Sequence, residues 1–217
     1  MQTQFEYDAH VIAALQDSVS QARLGRYETR ACGDPTQALQ LYMWNTALSE
    51  ALYGPMQGLE ITLRNKMNNG FTNRFGTHWY DMPAMGLANR HRDHVMCAKQ
   101  SLQLQGKPLD PPRVVAELNF GFWVGLYGRQ YENHLWRPVL RKIFINAPSP
   151  LLRKDTHQVL DDLRLLRNRI AHHEPILHRP LLREYRLILA VIGWLCSSTA
   201  KWVGHHSRFN GTYEASP

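Results

Sequence analysis

Hydrophobic residues recur at intervals of three and four along nearly the whole chain, which is the spacing of residues on one face of an α-helix. In the first third of the chain this spacing predicts three helices. The positions that mark them are Ile12, Leu15, Val19 and Ala22 in the first, Leu41, Asn45, Leu48 and Leu52 in the second, and Leu59, Leu63, Met67 and Phe71 in the third. A looser pattern over residues 88–104 predicts a fourth helix.

The second half of the chain continues in the same way after Pro108, Pro111 and Pro112, which interrupt the pattern. Four more helices are predicted. Their positions are Val114, Leu118, Phe122 and Leu126; Leu135, Val139 and Ile143; Val159, Leu163, Leu166 and Ile170; and Leu181, Tyr185, Ile188, Ile192, Leu195 and Thr199. No stretch alternates with period two, so the expected fold class is all-α. We expect a helical bundle with an aromatic-rich connection over residues 69–83 and a frayed tail over residues 207–217.

The composition fits one folded domain, with or without an extension. The chain has 217 residues, of which 44% are hydrophobic and 20% are charged, and this is ordinary usage for a globular protein. Its longest apolar run covers residues 187–196 and is about half of the roughly 20 residues that a membrane helix needs. The chain does not start with a basic segment followed by an apolar one, so no secretory signal is predicted. A soluble cytoplasmic protein without a membrane partner is expected.

The cysteines predict neither a disulfide framework nor a zinc site. There are three of them, Cys32, Cys97 and Cys196, and their wide spacing contains no Cys-x-x-Cys pair. We expect them to be buried, apolar thiols.

Positive charge is concentrated in the C-terminal half of the chain. The net charge is +7, and residues 109–217 contribute +6 of it. A field of this sign attracts polyanions such as RNA, DNA or an anionic membrane surface, although a similar net charge is also found in proteins that bind none of these.

The densest group of chemically useful side chains lies in residues 163–175, which contain Arg167, Asn168 and His172. At about 100° per residue, Arg167 borders the apolar seam of this helix, and Asn168 and His172 lie together on the opposite side. Pro175 disfavours helical geometry at Glu174, so we expect His172 in the last turn, where Asn168 can orient its imidazole. An Arg that binds phosphate and a His that titrates near neutrality are what phosphodiester cleavage requires in the absence of a metal.

The spacing of these residues has little specificity by itself. Arg129 and His134 repeat the interval between Arg167 and His172, as expected by chance in a chain rich in both residue types. A basic helix end, whose histidines cap carbonyl groups or face solvent, explains the pattern equally well. No phosphate-binding Gly-rich loop, His-Glu-x-x-His motif or nucleophile elbow is present to favour another chemistry.

A longer pattern is formed by six segments that follow one another in order, at residues 41–45, 48–50, 59–65, 116–126, 131–138 and 166–176. Together they resemble the Abi-like (abortive infection) family of the HEPN superfamily. The resemblance covers most of the chain, from about residue 38 to residue 209. The division of the chain that it implies is a helical N-terminal extension at 1–35, an Abi-like HEPN domain at 36–209 and a flexible tail at 210–217.

The resemblance implies a HEPN-like helical bundle that works as a homodimer, with metal-independent endoribonuclease chemistry and no cofactor. The Arg-Asn-x-x-x-His motif of that superfamily falls on Arg167, Asn168 and His172, the expected catalytic residues. RNA is the implied substrate, and the implied role is that of a toxin or antiviral (phage-defence) effector, with an antitoxin or a regulatory RNA as a further partner.

Other polar residues receive supporting roles in this interpretation. Contacts to the RNA are expected from Arg129, Arg137, Arg141, Lys142, Arg169 and His173. Glu60, Arg64 and Asn65 match an upstream pattern of the family and are expected to support the motif helix. His91, His94 and Cys97 do not share one side of a helix, so no metal site is predicted there.

Two alternatives from other classes stay open. The first is a non-catalytic RNA-binding or partner-binding module that uses the same basic surface. The second is a partner of a nucleotidyltransferase, since HEPN modules are often paired with such enzymes.

Overall fold

The computed structural model describes residues 5–217, and this part of the chain contains helices and no strand. The prediction of an all-α fold is confirmed. The helices are α1 (Ala9–Val19), α2 (Gln21–Arg30), α3 (Pro35–Phe75), α4 (Asn89–Leu104), α5 (Pro111–Glu117), α6 (Phe120–Gly125), α7 (Arg141–Ile143), α8 (Arg153–Ala171), α9 (Leu181–Leu195), α10 (Ser197–His206) and α11 (Phe209–Glu214). Short 3₁₀ turns occur at Trp79–Asp81, Pro83–Met85 and Arg129–Tyr131, and a π-helical segment spans Glu132–Leu140.

The longest element, α3, joins the second and third predicted helices into one helix of 41 residues. It begins where the side chain of Asp34 accepts a hydrogen bond from the N–H of Gln37, with Pro35 in the first turn. Pro55 lies inside the helix and is buried in the core without ending it. Because α3 packs against α2, α9, α10 and α11, tertiary contacts along its length stabilise the helix across this proline.

Three patterns that predicted one helix each are interrupted instead. The first breaks at Ser20, whose φ is 77°, and gives α1 and α2. Asn119 separates α5 from α6, because its side chain caps the new helix by accepting from the N–H of Phe122 at 2.9 Å. At Cys196 the backbone becomes extended and separates α9 from α10.

The main core is rich in aromatic side chains. Trp79, which follows α3 in the aromatic-rich connection, is fully buried between Phe71 and Trp123. Its indole N–H donates to Oδ1 of Asn68 at 2.9 Å. This connection is therefore part of the core, and it joins the end of α3 to the layer formed by α4, α6 and α8.

The N-terminal extension packs on the rest of the molecule through α2. Tyr27 and Ala31 of α2 form a small second core with Ala38 and Leu41 of α3. At its surface, Nη1 of Arg23 donates to the carbonyl oxygen of His173 at 3.2 Å, so α2 also contacts the segment that follows α8.

The C-terminal segment differs from the frayed tail that was expected. Phe209 of α11 is fully buried, and its ring stacks on Tyr185 of α9 at 4.4 Å between centroids. The indole N–H of Trp44 donates to the carbonyl oxygen of Thr212 at 2.9 Å. Sequence periodicity could not show this helix, because six residues are too few to establish a helical pattern.

The prediction of buried thiols is wrong. Cys32 and Cys97 are exposed and Cys196 is only partly buried, and all three are free. Cys32 adopts a positive φ of 52° in the turn after α2, and Cys97 lies on the solvent side of α4. Within residues 5–217, no helix is long and apolar enough to cross a membrane.

Candidate functional site

The helix α8 carries the candidate motif and has one apolar and one polar side. Leu160, Leu163 and Leu166 are fully buried and fix the helix against the core. The polar side begins at the first residue of the helix, where Nε of Arg153 donates to Oε2 of Glu132 at 2.6 Å. The rotation of α8 is therefore set by its leucines, and this rotation decides which polar residues reach the surface.

At its C-terminal end, α8 is closed by a Schellman motif. The N–H of Glu174 donates to the carbonyl oxygen of Arg169 at 2.8 Å, and the N–H of His173 donates to that of Ile170 at 3.1 Å. His173 occupies the left-handed position of the motif with φ at 56°, where glycine is the usual residue. His172 is the capping residue and lies one position beyond the last turn, in which it was expected.

The segment after this cap is held by α3. Oδ1 of Asn45, a buried side chain, accepts a hydrogen bond from the N–H of Ile176 at 2.8 Å. An amide side chain is well suited to satisfy a buried backbone donor. The position of the chain after His172 is thus fixed from both sides, by the Schellman motif and by Asn45.

Arg167 is held by an ion pair with α3. Its Nε donates to Oε1 of Glu60 at 2.8 Å. The two Nη groups make no hydrogen bond with the described residues, so they remain available for an anion. Arg167 borders a cleft of about 410 Å³ that is also lined by Glu60 and Arg64. Of the three upstream residues expected to support the motif helix, Glu60 contacts it directly and Arg64 lines the same cleft.

Asn168 and Arg167 also line a second recess, of about 700 Å³, which is bounded by α4, α6 and α8. We refer to this recess as the basic groove. The charged side chains along it are Arg90, Arg129, Asp161, Arg164 and Arg167. Four arginines and a single carboxylate give it a positive potential, which attracts phosphate groups.

His172 lies at the exposed end of the helix and lines neither recess. Its N–H donates to the carbonyl oxygen of Asn168 at 2.9 Å. The two side chains, both within the described part of the chain, are not hydrogen-bonded to each other. The expectation that Asn168 orients the imidazole is therefore not met in this single chain, where the contact between the two residues is a backbone one.

Of the residues expected to contact RNA, the structure places only some in the basic groove. Arg129 lines the basic groove. Arg137 lies near Glu132, with Nε and Oε1 at 3.6 Å, and Arg141 and Lys142 are exposed on α7, outside the groove. Arg169 is paired with Glu174 at 3.1 Å, and the backbone of His173 closes α8.

Sequence reasoning missed most of the basic groove. Its unrecognised members include Arg90 and His94 of α4 and His157 and Arg164 of α8. A signal for the α8 members was present, because His157, Asp161, Arg164 and Asn168 are spaced by four, three and four residues and so lie along one side of the helix. No signal in the sequence places Arg90 beside them, since α4 and α8 meet only through the tertiary fold.

His91 of α4 forms part of a buried hydrogen-bonded cluster. The hydroxyl of Tyr131 accepts from the N–H of Ala88 at 3.0 Å and lies 2.9 Å from Nδ1 of His91, to which it can donate. Burial, and then the neighbouring His94 and Arg90, lower the pKa of His91 to about 4. A Cβ atom at Gly125 would lie 2.6 Å from Nε2 of His91, so this packing requires glycine. No group of three or more potential ligands among residues 5–217 could hold a metal ion.

Comparison of the chain with protein-family models, with curated proteins and with solved structures finds no match. The chemistry of the site is therefore inferred from the geometry of its own residues.

Proposed function

We propose that this chain is a metal-independent endoribonuclease of the HEPN type that acts as a toxin or phage-defence effector in the cytoplasm. One observation carries the proposal: Arg167, Asn168 and His172 are at least partly exposed near one helix end, and Arg167, whose Nη groups have no hydrogen-bond partner among the described residues, lines a groove with three other arginines. A motif with only a structural role would be expected to use these side chains in contacts with the rest of the fold. Here a single ion pair holds Arg167, and the His172 side chain is exposed.

The proposed reaction uses a hydroxyl group of the substrate as nucleophile. In a homodimer with the two motifs facing each other, one His172 removes the proton from a ribose 2′-OH, and O2′ attacks the adjacent phosphorus. The bond between phosphorus and O5′ breaks, and the second His172 gives a proton to the leaving O5′. The products are a 2′,3′-cyclic phosphate and a 5′-hydroxyl.

Arg167 stabilises the extra negative charge on the phosphoryl oxygens during this step. Its ion pair through Nε fixes the guanidinium and leaves the Nη groups to bind two oxygens. Glu60 is then a positioning residue, because it acts only through Arg167.

The test compares the RNA ends produced by the wild-type protein and by His172→Ala. We expect the wild type, induced in cells or incubated with RNA in the presence of EDTA, to produce new 2′,3′-cyclic phosphate ends. His172→Ala should produce none and should not inhibit growth, because proton transfer contributes about 10²–10⁴-fold to such a reaction. Retained cleavage by a well-folded His172→Ala protein would contradict the catalytic role.

His134→Gln is the matched control. His134 follows Arg129 at the same interval but lies against the ring of Tyr131, with 5.5 Å between the centroids. Cleavage by this variant should equal that of the wild type once both are compared at equal folded concentration.

The second candidate is a non-catalytic RNA-binding module. The unpaired arginines of the basic groove favour it, since they can bind phosphate whether or not cleavage follows. RNA affinity that falls steeply with salt, without cyclic phosphate ends on any RNA, would support this function instead.

A further inference from the structure

The arginines of the basic groove fall into two kinds. Arg164 is paired with Asp161 at 2.7 Å and Arg167 with Glu60 at 2.8 Å. Arg90 and Arg129 also line the groove, are exposed, and make no ion pair or side-chain hydrogen bond with the described residues. Two of the four charges are therefore fixed by carboxylates, and two are uncompensated.

Three glycines, Gly121, Gly125 and Gly128, line the groove on α6 and the turn that follows it. A Cβ atom would lie 2.6 Å from Nε2 of His91 at Gly125 and 2.8 Å from Oε1 of Gln130 at Gly128. Close packing therefore shapes this side of the recess, and a strand with a phosphate on every unit can lie along it while its phosphates contact the arginines.

The groove is also continuous with the candidate motif, because Arg167 and Asn168 belong to both. Its volume of about 700 Å³ lies in the range of small-molecule pockets, roughly 300–1,000 Å³. Such a recess is too small for a double helix but admits a few nucleotides of a single strand, the form in which most RNA is recognised.

We propose that the basic groove binds the backbone phosphates of single-stranded RNA next to the bond that is cleaved, with Arg90 and Arg129 as the principal contacts outside the motif. This inference rests on the proposed function and adds a substrate class and a path for the strand. In this arrangement Arg90 and Arg129 contact phosphates of the strand whose scissile phosphate is bound at Arg167.

The experiment measures the binding of a fluorescein-labelled single-stranded RNA by anisotropy at several salt concentrations. All variants are made in the His172→Ala background, so that the RNA stays intact. The double variant Arg90→Ala/Arg129→Ala should bind about tenfold more weakly at physiological salt, and the slope of log K against log salt should become shallower by about 1.4, the value for two lost phosphate contacts with a single strand. Both side chains are exposed and unpaired, so the thermal melt should be unchanged.

The charge-matched control is Arg183→Ala/Arg186→Ala. These two arginines are exposed on α9 and line none of the recesses described above. Affinity and salt slope should stay close to the values of the parent protein. An equal loss in both double variants would overturn the proposal, because it would show an effect of net charge and not of the groove.

A third pair separates the groove from the exposed basic residues that do not line it, Arg137, Arg141 and Lys142. Arg137→Ala/Arg141→Ala removes the same charge outside the groove, and we expect a smaller loss of affinity than for Arg90→Ala/Arg129→Ala. The opposite order would overturn the proposal and place the strand along α7.

Failure of this inference can be distinguished from failure of the proposed function. Groove-dependent binding without cleavage by the wild-type protein would leave the groove assignment intact and refute the ribonuclease. Cleavage that depends on His172, together with RNA affinity that is unchanged in Arg90→Ala/Arg129→Ala, would support the ribonuclease and refute the groove assignment.

Discussion

Two segments of this chain contain an arginine followed five residues later by a histidine, and the fold treats them differently. In the first segment, Arg129 is exposed and His134 is partly buried. In the second, Arg167 is held by Glu60 and His172 is exposed. The same interval thus gives one histidine that packs and one that is free to meet a substrate.

The difference arises from the backbone that carries each segment. Arg129 lies in a 3₁₀ turn that leads into the π-helical segment, and Nε2 of His134 is buried without a hydrogen-bond partner in the described structure. Gly86 allows this packing, because a Cβ atom there would lie 2.9 Å from that nitrogen. Arg167 and His172, in contrast, lie at the end of a regular α-helix whose cap projects from the core.

The two segments show that the interval between Arg and His identifies a candidate site. The surrounding structure then determines whether the histidine is packed or exposed. A histidine whose ring packs against an aromatic side chain, with a nitrogen buried, is not accessible to a substrate through that nitrogen. A histidine at an exposed helix end, one turn from a fixed arginine, is suited to proton transfer. The following predictions test this distinction between the two segments.

The largest effect is expected when the two arginines are removed separately. Arg167→Ala should lower kcat for RNA cleavage about 10²–10³-fold, as for the loss of one donor to a transition-state anion. Arg129→Ala should leave kcat unchanged and raise KM several-fold, because the proposed role of this residue is to contact phosphates away from the reacting atoms. Steady-state cleavage of a labelled RNA measures both constants, with Arg186→Ala as control. A similar fall in kcat for the two variants would contradict the assignment of different roles to Arg167 and Arg129.

The sequence predicted the parts of this site that local spacing determines. The helix that carries the motif and its buried seam at Leu163 and Leu166 follow from a period of 3.6 residues and are present in the structure. Arg167, predicted at the border of that seam, is partly exposed. The basic groove was not predicted, because Arg90 comes from α4 and reaches α8 only through the packing of the whole fold. The left-handed conformation of His173 was not predicted either, since sequence statistics favour glycine there.

Acid should destabilise the buried cluster around the first segment. The pKa of His91, about 4 in the folded protein, lies below its ordinary value near 6.5, so the unfolded chain binds a proton that the folded one does not. Stability is therefore complete above about pH 6.5 and is lost as the pH falls towards 4, by up to about 3 kcal/mol. Urea unfolding between pH 7 and pH 4 should show a smaller loss in His91→Gln. Equal losses in the two proteins would show that the folded protein protonates His91 at its ordinary pKa, and so would contradict the lowered value.

The second segment depends instead on one buried amide. Asn45→Ala removes the acceptor for the N–H of Ile176 and should lower the free energy of unfolding by about 1–3 kcal/mol, the cost of an unsatisfied buried donor. Asn146→Ala is the matched control, because its side chain donates to Gly193 at 3.1 Å at an exposed position, and its cost should be below 1 kcal/mol on the same scale. Chemical denaturation at neutral pH compares the two. If Asn45→Ala lowers the free energy of unfolding by no more than Asn146→Ala does, a contact other than the Asn45 hydrogen bond holds the chain after His172.

The smallest effect concerns His173 and separates its backbone from its side chain. A residue with a Cβ atom is strained at a φ of 56°, so His173→Gly should stabilise the protein by about 0.5–1 kcal/mol, while His173→Ala should not. Thermal unfolding measures the gain.

The same two variants show whether the imidazole of His173 contacts RNA, because both lack the imidazole but only His173→Ala keeps the backbone strain. Equal loss of cleavage in both would assign the side chain to substrate binding, whereas unchanged cleavage with a gain in stability for glycine alone would limit His173 to closing the motif helix. A destabilised His173→Gly protein would contradict the Schellman geometry on which this expectation rests.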